Sequence, residues 1–242
     1  MQADSGTECG EIDLSDSDMF FQGYLAGWRD GRRRRIATGA TNEPDITAVI
    51  CALQGPAGDA AIDFLLTCAG IPAEAREPGR HEFRHGGDLD HLRNSPDTGR
   101  PLTEVQPDVF ISHVPIDGPT RLVVAVEVKK DAPVNYVACP AGIHESYSNQ
   151  VICYPNGCWL PPSPQVKDIR YVWLARERDI TSDRFPRHAL NDRDMRQEWL
   201  VEAGAWQAES AHLWHRASLE AFSATIAPHA PAVARLVLRW LG

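Results

Sequence analysis

The sequence predicts a mixed α/β or α+β fold, and three observations carry that reading. Helical and strand-like hydrophobic periods alternate along the chain. Two apolar strand patterns flank an Asp-Gly turn at Asp117 and Gly118. The chain has 242 residues, 43% of them hydrophobic. That is enough for one large domain, or for a core domain with an appended subdomain.

The elements follow in order. Residues 1–17 read as a polar leader. Phe20, Phe21, Tyr24 and Trp28 then form a helical stripe, followed by four arginines, Arg32, Arg33, Arg34 and Arg35. A helix begins near Thr41 or Asn42 as cap, with Pro44 in its first turn and Ile46, Val49, Ile50 and Leu53 on its apolar face. A second helix is expected from Asp59 to Ala69, stopped by Gly70 and Pro72. Residues 73–104 are rich in charge, His, Gly and Pro, with room for one strand near His81. Strands are expected over residues 107–114, 121–130 and 169–175, and a helix over residues 143–154. From Leu190 onward the pattern is helical throughout. Val233, Leu236, Val237, Trp240 and Leu241 form one face, opposite Arg235 and Arg239. The chain therefore divides into residues 1–39 as leader, amphipathic helix and arginine run, 40–180 as core, and 181–242 as a C-terminal helical extension. That extension is expected to pack on the core, dimerise or dock on a protein partner.

Net charge is −9, which argues against non-specific coating of nucleic acid or anionic membrane. Six of the acids fall within residues 1–18, where there is no Lys or Arg. The arginine run is thus a local basic edge, able to hold a phosphate backbone or simply to be solvated. No apolar run approaches the length of a membrane span. The acidic start has neither a basic n-region nor an apolar h-region, so the expected location is the cytoplasm. The six cysteines, without a secretion signal, do not suggest a disulfide framework; Cys51 and Cys68 are expected as buried thiols on helical faces.

The most informative stretch is AVEVKK, residues 125–130. Side chains alternate across a strand, so Val123, Ala125, Glu127 and Lys129 share one face and Leu122, Val124, Val126 and Val128 the other. A hairpin centred between Asp117 and Gly118 sets Asp108 directly opposite Glu127, with Cβ atoms roughly 4.5–5.5 Å apart. A bulge would shift that register by one. Two carboxylates so close repel unless a positive charge lies between them. A divalent cation satisfies both, and hard oxygen ligands suit Mg²⁺ or Mn²⁺. Lys129, one pleat beyond Glu127, can hold a water or a developing negative charge on a phosphate. Taken alone, Glu-x-Lys on a strand is ordinarily a solvated ion pair. The combination with Pro107-Asp108 and a hairpin of matching length carries the chemistry.

These residues resemble the signature of the PD-(D/E)xK nuclease superfamily: Pro107-Asp108, then Glu127-Val128-Lys129. Members often carry an acid on a helix upstream, where this chain has Glu43. The RecB-like branch has Q-x-x-x-Y on a later helix, matched by Gln150 and Tyr154. The resemblance spans about residues 40–175 and implies a restriction-endonuclease-like core, a central mixed sheet flanked by helices. It implies metal-dependent hydrolysis of phosphodiester bonds in nucleic acid, DNA rather than RNA, in genome defence or repair. By the same resemblance Asp108, Glu127 and the Val128 carbonyl bind the metal, and Glu43 helps hold it. Lys129 orients or activates water, and Gln150 and Tyr154 position the site. Arg32 to Arg35 precede the Glu43 helix and are expected to line the nucleic-acid groove. The acidic balance, the long segment 73–104 and the helices after residue 190 depart from the pattern. The alternative is a non-catalytic subunit of the same fold acting as an interaction module.

Two other constellations stand beside this one. Cys139, His144, Cys153 and Cys158 have loose zinc-ligand spacing, or are ordinary side chains. His81, His85 and His91, near Asp88 and Asp90, form a metal cluster or a solvated loop. No Gly-rich phosphate loop, G-x-S-x-G or Cys-His nucleophile pattern is present.

Overall fold

The computed structural model describes residues 43–85, 107–129, 150–155, 169–181 and 212–242. Helix α1 (Glu43–Cys51) and helix α2 (Gly55–Cys68) come first. Helix α2 starts earlier than the residue pattern suggests. Gln54 is extended, at φ −133° and ψ 169°, and Pro56 sits in the first turn, where its missing N–H is harmless. The helix ends at Gly70, whose φ of 74° suits only a residue without Cβ strain. Ile71 N–H then donates to the Leu66 carbonyl, closing the last turn. Cys51 and Cys68 are half-buried free thiols, and burial pushes the Cys68 thiol up from its ordinary range.

Five strands form one mixed sheet whose spatial order is the chain order. They are β1 (Gly79–His85), β2 (Val109–Pro115), β3 (Arg121–Val128), β4 (Arg170–Ala175) and β5 (Trp214–Ser218). The first three pair antiparallel as a meander; β3, β4 and β5 run parallel. Short helices α3 (Gln150–Cys153) and α4 (Glu177–Thr181) lie between strands, and α5 (Leu219–Ile226) and α6 (Pro231–Leu241) follow β5.

Val109, Ile111, Val124, Val126, Val128, Val172, Leu174 and Ala217 form one sheet face and pack against α1, α2, α5 and α6 in a single apolar core. On α6, Val233, Leu236, Val237, Trp240 and Leu241 are all buried, while Arg235 and Arg239 are exposed. Of the roles expected for the C-terminal helices, this stripe takes the first, packing on the chain's own core.

The β2–β3 register contains two offsets that cancel. Near the turn, His113 lies opposite Arg121, so the hairpin is centred on Asp117 rather than between Asp117 and Gly118. A bulge between Ile111 and Ser112 then sets Ile111 opposite Val124, Phe110 opposite Ala125 and Val109 opposite Val126. Beyond the bulge the pairing matches the centred hairpin. On the turn side the alternation is inverted, and Leu122 faces with Ser112 instead of with Val124.

The wholly helical reading of residues after 190 is corrected at residues 214–218, which form β5. Five residues running directly into a helix carry too little period-2 signal to stand out. Their strand character comes from pairing with β4, a contact about forty residues away in sequence that no local pattern encodes.

Candidate functional site

The site lies where the carboxyl end of β3 meets the amino end of β2. The β2–β3 pairing ends at Val109 and Val126, and Asp108 precedes it in a bend. Glu127 lies on the face of Ala125. Val128 N–H donates to Asp108 Oδ2 at 2.9 Å. The Asp108 side chain thus takes the bond that a backbone carbonyl would otherwise receive. Proline has no N–H, so Pro107 cannot donate to the Val128 carbonyl across the ladder. The Pro-Asp pair therefore ends the β2–β3 ladder and turns a carboxylate and a backbone carbonyl toward the strand end.

Glu127 is 1% exposed and Lys129 5%. Lys129 Nζ lies 2.8 Å from Glu127 Oε1. Gln150 Nε2 donates to the same oxygen at 2.8 Å. A buried ion pair survives only when further hydrogen bonds complete it, and Gln150 supplies one. Lys129 follows the last residue of β3, and its N–H donates to the Leu174 carbonyl of β4, which fixes where the side chain starts. Gln150 Nε2 also reaches Tyr154 Oη at 3.4 Å, one helical turn away.

Helix α3, which carries Gln150, lies on the Glu127 face of the sheet. It is held from β5. Trp214 Nε1 donates to the Val151 carbonyl at 3.0 Å. The Trp214 ring is edge-on to Tyr171 and Trp173 at 5.5 and 5.2 Å, and lies 6.2 Å from Tyr154. Trp214 is thus a positioning residue that the sequence pattern did not reveal. Its only local signal is the alternation of Trp214, Arg216 and Ser218, legible once the strand is known.

The structure brings Asp108, Glu127, Val128, Lys129, Gln150 and Tyr154 to one strand end. Glu43 is the first residue of α1, and its side chain lies outside the described residues, as do those of His85 and Cys153. Arg32, Arg33, Arg34, Arg35, Asp88, Asp90, His91, Cys139, His144 and Cys158 also lie outside them. Among the described residues, no group of three or more His, Cys, Asp and Glu side chains is placed to hold a metal. The donors at the strand end are two carboxylates and a backbone carbonyl, all hard oxygens. In kind they fit Mg²⁺ or Mn²⁺ and not a thiolate-loving metal. Among the described residues no helix is long and apolar enough to cross a membrane. No family model, no curated protein and no solved structure matches the chain.

Proposed function

We propose that this chain is a metal-dependent nuclease with a restriction-endonuclease-like core, hydrolysing phosphodiester bonds in DNA in preference to RNA. One observation carries the reading: Asp108, bonded to the Val128 N–H, and Lys129, held against Glu127, meet at the buried end of β3. The ordered sheet of five strands with helices on its apolar face supports it.

Asp108, Glu127 and the Val128 carbonyl would hold Mg²⁺ or Mn²⁺, with Glu43 adding a carboxylate from the start of α1. When bound, the ion supplies charge neutralisation at the phosphate and acidifies a water. The chain's own residues do the rest. Gln150 fixes the Glu127 carboxylate by the bond to Oε1, and Tyr154 fixes Gln150. Lys129, held beside Glu127, would orient the attacking water or stabilise charge on the phosphate. Arg32 to Arg35, just before α1, would supply phosphate contacts that an acidic chain otherwise lacks.

End-labelled DNA and RNA oligonucleotides incubated with purified protein test this. DNA cleavage is expected with Mg²⁺ or Mn²⁺, falling by at least about a thousandfold in EDTA. Cleavage that persists undiminished in EDTA would overturn the reading.

A further inference from the structure

At the far end of the strands, on the opposite face of the sheet, the core changes character. Phe83, Ile111 and Val124 form one row across β1, β2 and β3; the next row toward the turn is His81, His113 and Arg121. This row lies roughly 20 Å from Glu127 along β3. The two imidazoles are cross-strand partners with ring centroids 4.9 Å apart. His113 is 1% exposed, and neither of its ring nitrogens has a hydrogen-bond partner. An imidazole always carries at least one N–H, and leaving such a group buried and unpaired costs about 1–3 kcal/mol. The chain reserves space for that ring: a Cβ at Gly79 would lie 2.6 Å from His113 Nε2.

The row walls a cavity of about 710 Å³, closed on other sides by Arg76 and Glu77 of the α2–β1 connection, Asp117 of the turn and Arg170 of β4. Three guanidinium groups therefore stand against two carboxylates. Arg121 Nη2 is 2.6 Å from Glu77 Oε1, and Arg76 is bound to Asp63. Arg170, exposed at the start of β4, has no ion-pair partner among the described residues. The positive field is felt locally: burial holds the His81 pKa below its ordinary value, and His113, Arg76 and Arg121 push it further the same way.

We propose that this cavity binds a small dianion of the phosphate type, either inorganic phosphate or the phosphoryl group of a small phosphomonoester. Arg121 and Arg170 supply fixed charge, and His81 and His113 supply N–H donors from the cavity wall. The volume accommodates a phosphomonoester together with its organic body. The site is separate from the nuclease reading, because the sheet lies between the two.

Calorimetric titration of the full chain in EDTA, at constant ionic strength set with chloride, tests it with sulfate, inorganic phosphate and ribose 5-phosphate. Saturable binding of sulfate and phosphate is expected, and Arg121→Gln and Arg170→Gln should each weaken it by about tenfold. Tighter binding of ribose 5-phosphate assigns the phosphomonoester as ligand; equal binding assigns the free ion. Sulfate stays dianionic across the range, so its pH dependence reports the protein. A dianion favours protonated His81, whose pKa lies below the ordinary imidazole value, so binding takes up a proton and affinity should rise as pH falls through the His81 titration. His113, Arg76, Glu77, Asp117, Arg121 and Arg170 face the same space, and His81→Gln should reduce that rise. No saturable sulfate binding up to about 10 mM, well above the affinity range of a built site, overturns the proposal. So does binding that the arginine variants leave unchanged, which marks an adventitious ion only.

Discussion

Glu127→Ala should abolish cleavage and, at the same time, destabilise the fold by about 3–5 kcal/mol. Two separate losses combine. The Glu127 carboxylate disappears, so the proposed cation site loses one of its charged ligands. Lys129, only 5% exposed, loses the oxygen that lies 2.8 Å away. An uncompensated buried charge is far worse than either the intact pair or no charge at all. Urea unfolding and the cleavage assay separate the two effects across a short series. Glu127→Gln keeps the shape and a carbonyl acceptor for Gln150 and Lys129 but removes the compensating charge, so it should lose cleavage while losing less stability than Glu127→Ala. Glu127→Leu combined with Lys129→Met should recover most of the stability that Glu127→Ala loses, with no cleavage. A Glu127→Ala protein as stable as wild type would mean that the pair is solvated and the buried site does not exist.

Trp214→Ala should lower stability by about 3–5 kcal/mol, the range for deleting a buried tryptophan. The residue is 5% exposed and joins two parts of the structure that sequence distance keeps apart. Its ring packs edge-on against Tyr171 and Trp173 and tilted against Tyr154, and its indole N–H ties β5 to the Val151 carbonyl of α3. Removing it frees the helix that delivers Gln150 to Glu127. Trp214→Phe keeps much of the ring packing and removes only the hydrogen bond, a loss of about 1 kcal/mol. The phenylalanine variant should therefore fold normally and cleave more slowly by roughly tenfold, because Gln150 no longer has a fixed base. Full activity in that variant would show that α3 is held by other contacts.

What could be read from the sequence follows from the range of the interactions involved. The strand pair 109–115 and 121–128 was legible because alternation and the Asp-Gly turn are local signals. Its register from Val109 to Ile111 was legible only because the shifted turn and the bulge offset each other. The apolar face of α6 was plain from its period, yet its occupant was not, since burial against α5 in the shared core is a tertiary outcome. Strand β5 was read as helix because five residues beside a helix carry little period of their own. Trp214 went unnoticed with it. His81 was grouped with His85 and His91 in a polar segment. The structure instead pairs it with His113, a residue whose own neighbours in sequence mark it as strand core. Cross-strand partners thirty residues apart leave no trace in a local pattern.

The central claim is that Asp108 and Glu127 share one divalent cation at the end of β3. Titration of the metal-free chain with Mn²⁺, followed by loss of the free-ion electron paramagnetic resonance signal, measures this without relying on turnover. Wild type should bind Mn²⁺ in a site of about micromolar to millimolar affinity, competed by Mg²⁺. Asp108→Asn, which keeps an acceptor for the Val128 N–H, should fold as wild type and weaken that site by at least about tenfold. Mn²⁺ binding that is absent in wild type, or unchanged in both Asp108→Asn and Glu127→Gln, would contradict the claim.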